Sequence, residues 1–142
     1  MSAQKEFEPR VVAFCCHHCA YAAADLAGSS RLSYPAGVKI VEFPCTGRVD
    51  MLEMLHALEK GVDGVLVAGC LPGTCHYING NTHARQRIDY MGRLLEEIGL
   101  EKGRVAMINI SAAMGAQFAR QVGEFVESLR DLGPTPLAGM ER

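Results

Sequence analysis

Alternation of short apolar runs with amphipathic stretches predicts an α/β protein built on a single open parallel sheet of about four strands, with helices on both faces. Three observations carry this prediction. RVVAFCC (10–16), VKIVEFPC (38–45), DGVLVAGC (63–70) and RVAMINIS (104–111) are short and largely apolar, as buried strands are. The segments between and after them carry apolar residues at helical spacing. Glycines and a Gly-Pro pair punctuate the ends of those segments.

The elements follow in order. The opening MSAQKEFEPR is polar and lacks the apolar stretch of a secretory leader. After the first strand, the Ala-rich stretch from Ala20 to Ala27 reads as a helix weakened at Gly28 and the serines at 29–30. The second strand is followed by Asp50 with Glu53 three residues on, an aspartate form of the capping box. Leu52, Leu55 and Leu58 then make a helical face that Gly61 stops. Beyond the third strand, LPGTCHYINGNT (71–82) reads as a long loop, and loops of that length in compact domains are usually functional or mobile. Ala84, Ile88, Met91, Leu95 and Ile98 form the next apolar stripe, ended by Gly99. Ser111 stands where it could cap the last helix, whose face is Phe118, Val122, Phe125, Val126 and Leu129, and Gly133-Pro134 stops it. One domain is expected over 1–133, with 134–142 an extended or disordered tail. Right-handed crossovers and a flavodoxin-like strand order 2-1-3-4 would make the first three strands neighbours.

Composition narrows the function. At 142 residues, 49% of them hydrophobic, the chain can bury a core without covalent staples. A formal net charge of −2 gives no electrostatic case for nucleic acid or an anionic membrane. No apolar run approaches the roughly 20 residues that span a bilayer. A cytoplasmic chain is expected, and there thiols stay reduced, so clustered cysteines read as metal ligands or reactive thiols.

All six cysteines fall at strand ends: Cys15, Cys16 and Cys19 after the first, Cys45 closing the second, Cys70 and Cys75 around the third. In open parallel sheets, sites form beyond the carboxyl ends of the strands. Iron–sulfur clusters take four thiolates. The Cys-x2-Cys pair Cys16/Cys19, the single Cys45 and the Cys-x4-Cys pair Cys70/Cys75 offer five. Gly69 and Gly73 let backbone approach a bulky group, and helix N-termini would favour anionic thiolates. Cys15 adjoins Cys16, so in an extended strand the two side chains take opposite faces. Cys15 is assigned to the core because Cys16 completes the Cys-x2-Cys spacing. Plain structural burial is the weaker reading for the others.

Two rivals are weighed. Cys16-His17-His18-Cys19 between a strand and a helix fits a thiol–disulfide oxidoreductase, but leaves Cys45, Cys70 and Cys75 unexplained. A zinc-stabilised structural subunit explains the count without explaining the placement. His17, His18 and His76 read as neighbours of the site or surface groups, while His56 and His83 sit in helices and should be solvated. Arg48 and Arg85 are candidates to face an anionic cluster or a partner. Arg87 is better read as a solvated helix charge. No phosphate loop, dinucleotide fingerprint or nucleophile elbow is present.

These residues together resemble the delta subunit family of methyl-viologen-reducing hydrogenase. The segments CCHHCAYAAADLAG, PCTGRVD, DGVLVAGCLPGTCHYINGN and HARQR carry the likeness across about 15–93, and the βα pattern extends it to about 130. His17-His18 stands where the family pattern has Asn-Trp. The resemblance implies a small [2Fe–2S] electron carrier without a substrate of its own, with four of Cys16, Cys19, Cys45, Cys70 and Cys75 as ligands. It further implies a role in anaerobic metabolism, relaying electrons between an oxidoreductase of hydrogenase or formate dehydrogenase type and a heterodisulfide-reductase-like flavoprotein.

Overall fold

The computed structural model describes residues 8–17, 20, 23, 37–43, 51–69, 80–111 and 113–136. Four strands, β1 (Val11–Cys16), β2 (Val38–Phe43), β3 (Gly64–Gly69) and β4 (Val105–Asn109), form one sheet in the order β2-β1-β3-β4. All three pairings are parallel. The expected class and strand order are therefore the observed ones. Period-two alternation sorts the strand residues onto two cores. One holds Val11, Ala13, Cys15, Leu66 and Ala68 against helix α3 (Gly115–Leu132) and the helical residues Ala20 and Ala23. The other holds Phe14, Val65, Val67, Val105 and Met107 against α1 (Met51–Glu59) and α2 (Gly80–Glu97).

The strands differ as their places demand. β3 is buried throughout, because neighbours flank it in the sheet and helices cover both faces. β2 lies at an edge and exposes Lys39 and Glu42 between half-buried apolar residues. It is described over Val38–Phe43; Pro44 and Cys45, where it was expected to close, lie outside the described residues.

Each helix corrects one expectation. In α1 the buried stripe is Met54 and Leu58, while Leu52 is 71% exposed. The i, i+4 pair sets the inward face, and Leu52 falls off it. α2 begins at Gly80, so Gly80, Asn81 and Thr82 are helix and not loop. Small polar residues favour helix starts for the reason they favour turns, the local bonding of side chain to backbone. Ile88, Met91 and Leu95 are buried as expected, but Ile98 is 65% exposed. Here Gly99 (φ +89°) donates to Glu96 O and Leu100 N–H reaches back to Leu95 O at 2.8 Å. This helix-ending motif turns the chain so that Leu100, not Ile98, returns to the core. α3 is capped by Met114 and not Ser111; a turn intervenes, with Met114 N–H bonded to Ser111 O. All five residues of its expected face are buried.

A polar knot fills the amino end of the sheet. Arg104, 1% exposed, donates to Glu101 Oε1 (2.8 Å), Asp63 O (3.0 Å) and Gly133 O (2.9 Å). The buried Asp63 carboxylate accepts Arg10 N–H on one oxygen and Thr135 N–H on the other, both at 2.9 Å. One side chain thus holds the strand leading into β1 and the segment leaving α3. Residues 137–142 lie outside the described residues.

Candidate metal centre

The candidate site begins where β1, β2 and β3 end. The register sets Cys16 level with Phe43 and Cys15 level with Ala68, so the three strands stop together at one edge. The ladder runs one step further on each side. His17 N–H donates to Phe43 O and Ile110 N–H to Gly69 O, both at 2.7 Å. In sequence, Cys45 stands two residues after Phe43 and Cys70 directly after Gly69.

Cys15 is fully buried and packs in the α3-side core with Ala13 and Ala68. Burial, and secondarily the charge of the neighbouring Cys16 thiolate, push the Cys15 thiol up to about 12. It stays protonated at neutral pH and is a packing residue, as strand alternation expects. Cys16 closes β1 at 1% exposure. By the strand period it falls on the Phe14 face. Cys19, Cys45, Cys70 and Cys75 lie outside the described residues, as do His18, Arg48 and His76.

Two polar contacts flank the edge. His17, exposed, meets the Glu42 carboxylate across β1 and β2. Arg85 near the start of α2 reaches the Asn109 side-chain oxygen at 3.4 Å, which brings its guanidinium to the carboxyl end of β4. Neither Glu42 nor Asn109 was singled out by sequence reasoning. The signal available was a polar residue at or beside a strand terminus, which for Glu42 is one followed by a cysteine. Arg87 is half-buried on α2, His56 is exposed on α1, and His83 belongs to α2.

Among the described residues no three histidine, cysteine or acidic side chains gather as a metal site. The donor chemistry nevertheless fits an iron–sulfur group in kind. The described ligand candidate is a soft thiol, buried, at the carboxyl edge of a parallel sheet, and the two flanking strands run out level with it. No described helix is long and apolar enough to cross a membrane.

Fold and edge together define a parallel α/β domain with cysteines following its strand ends. The chain belongs to the family described as methyl-viologen-reducing hydrogenase, delta subunit, whose pattern matches residues 11–133. It is 46% identical over 130 residues to the iron-sulfur D subunit of an F420-non-reducing hydrogenase from Archaeoglobus profundus, covering 92% of this chain and 95% of that one. The corresponding vhu protein of Methanocaldococcus jannaschii is 44% identical over 130 residues, 92% and 97% of the two chains. The A subunit of a CoB-CoM heterodisulfide reductase from Methanosarcina acetivorans is 44% identical over 133 residues, 94% of this chain. The chain spans only 17% of that longer relative.

Proposed function

We propose that the protein is an electron-transfer subunit that carries a [2Fe–2S] cluster on four of Cys16, Cys19, Cys45, Cys70 and Cys75. The observation that carries this reading is the level termination of β1, β2 and β3 at one edge, with Cys16 buried there. Chain connectivity does the rest. At about 3.8 Å between successive Cα atoms, Cys70 cannot stray far from Gly69, nor Cys45 more than about 7.6 Å from Phe43. Adjacent strands lie about 4.8 Å apart. Connectivity thus ties Cys45 and Cys70 to the edge that holds Cys16, which supports a shared site.

Such a cluster supplies storage for a single electron. The chain's own residues do the remaining work. Cys16 offers a ligand shielded from water. The Arg85–Asn109 contact keeps a positive charge at the edge, which favours an anionic centre. Cys15 stays neutral and fills the core beneath. Burial of Cys16 weighs against thiol–disulfide exchange, which needs an accessible attacking sulfur.

The relay runs between an oxidoreductase of hydrogenase or formate dehydrogenase type and a heterodisulfide-reductase-like flavoprotein. Support comes from the Methanosarcina relative, in which a matching segment is part of a larger heterodisulfide reductase chain. Anaerobic purification followed by iron, zinc and acid-labile sulfide analysis tests the cluster. Equal iron and sulfide, with a paramagnetic signal after reduction, is expected. Zinc without sulfide, or no metal with an exchange-active Cys16/Cys19 pair, would overturn the reading.

A further inference from the structure

We infer that the open edge of β4, together with the adjoining flank of α2, is a self-complementary surface on which a second copy of this chain docks. Among the described residues β4 pairs only with β3, which leaves its outer edge unpaired. Beside that edge runs a groove of about 550 Å³ between α2 and β4. Its α2 wall includes Arg85, Asp89, Gly92, Arg93 and Glu96.

The order of charge along that wall points to the occupant. Arg85, Asp89, Arg93 and Glu96 are all exposed and alternate plus, minus, plus, minus. Pairs at i, i+4 on a helix usually neutralise one another. Among the described residues none of the four joins an ion pair within 4.0 Å. Arg85 contacts Asn109, and Arg93 lies over the Tyr90 ring at 5.7 Å. Laid antiparallel on itself about a two-fold axis near Tyr90 and Met91, the series becomes its own complement. Arg85 then meets Glu96 of the second copy, and Asp89 meets Arg93, each pairing occurring twice. A two-fold interface must have this property, since the same patch serves both sides.

The backbone accommodates the same axis. α2 covers β3 and β4, with Ile88, Met91 and Leu95 packed against Val65, Val67, Val105 and Met107. A two-fold axis normal to the sheet makes the β4–β4 pair antiparallel, and such pairing closes an exposed edge. It also sends the two carboxyl edges in opposite directions, with Arg85, which stands at the carboxyl end of β4, at the margin of the interface. The inference does not depend on what the candidate metal centre binds.

Sedimentation of the full chain, purified anaerobically, tests it through a charge swap. Wild type should form a dimer. Asp89→Arg and Arg93→Asp each set like charges against each other twice, and each should raise the dimer dissociation constant at least about tenfold. The double variant restores opposite charges in reverse and should return to within about threefold of wild type. Both positions are exposed, and circular dichroism confirms that each variant is folded. A monomer at every concentration, a dimer indifferent to the single variants, or a double variant as weak as the singles would overturn the inference. So would protection of the β4 amides from hydrogen exchange that appears only when a heterodisulfide-reductase-type flavoprotein is added, because the edge would then belong to that partner.

Discussion

At the amino end of the sheet a guanidinium and a carboxylate are sealed inside the chain; at the carboxyl end polar side chains ring the strand termini and face water. Arg104 is 1% exposed and spends its donors on Glu101 and two backbone carbonyls, while Arg85 is exposed and makes one long contact. Asp63 holds two backbone amides, whereas Glu42 meets an exposed histidine. No described buried side-chain nitrogen or oxygen lacks a partner. A buried charge persists only when its hydrogen-bonding capacity is met, so the amino end is a finished structural joint. Among the described residues the carboxyl end keeps its charges at the surface, where they can act on something outside the sheet. The same fold thus divides anchoring from chemistry along the strand axis.

The largest expected effect breaks that division at the carboxyl end. Cys45→Ser, Cys70→Ser or Cys75→Ser should each remove most of the bound iron, while Cys15→Ala leaves it nearly intact. Iron per folded chain is the readout. Loss of iron in Cys15→Ala together with retention in Cys16→Ala would reverse the assignment of that pair. The neutral, buried Cys15 should also resist alkylation in the native protein at pH 8 and react only after denaturation.

The amino end should respond in the opposite sense. Arg104→Ala strands the Gly133 and Asp63 carbonyls and should cost about 3 kcal/mol in denaturant unfolding. Iron per folded molecule should be unchanged. A variant that loses iron while keeping its stability would mean the two ends are not separate.

Asp63→Asn is a finer cut. Asparagine keeps one acceptor oxygen, so one of the two amides loses its partner, at a cost of about 1–2 kcal/mol. Hydrogen exchange should locate the change at Arg10 or Thr135 and nowhere near Cys16. Uniform acceleration across the sheet would argue against a local joint.

The smallest effect is electrostatic. The hydrogen bond from Arg104, chiefly, holds the Glu101 carboxyl below its ordinary value. A lowered folded-state value stabilises the protein above the ordinary carboxylate range, and that contribution disappears as pH falls through the lowered value. Glu101 is half exposed, so screening limits the contribution to about 0.5 kcal/mol or less. Comparing wild type with Glu101→Gln at pH 7 and in mild acid should show the gap closing as pH falls. A gap that widens would contradict the assignment.

Much of the candidate site was legible because its residues follow strand ends, and strand ends are marked by local pattern. The thiol-bearing edge could be expected from VVAFCC, VKIVEFPC and GVLVAGC once parallel pairing was accepted. Alternation put Cys15 and Cys16 on opposite faces, and the Cys-x2-Cys spacing of Cys16 and Cys19 assigned Cys15 to the core. The flanking groups were less legible. Glu42 and Asn109 became neighbours of His17 and Arg85 only through pairing between elements distant in sequence.

By itself, the sequence determined the spacing of apolar residues, the glycines that end helices and the alternation of strand and helix. From these came the sheet, its order and the buried face of α3. The tertiary structure decided that Leu100 and not Ile98 returns to the core, that β2 is a half-exposed edge, and that Arg104 and Asp63 are buried at all. The physical reason is range. Helix and strand periods are written over two to four residues. The Arg104–Asp63 bond joins positions 41 apart and the Thr135–Asp63 bond positions 72 apart. Whether a charge can be buried depends on partners that only the folded chain brings within reach.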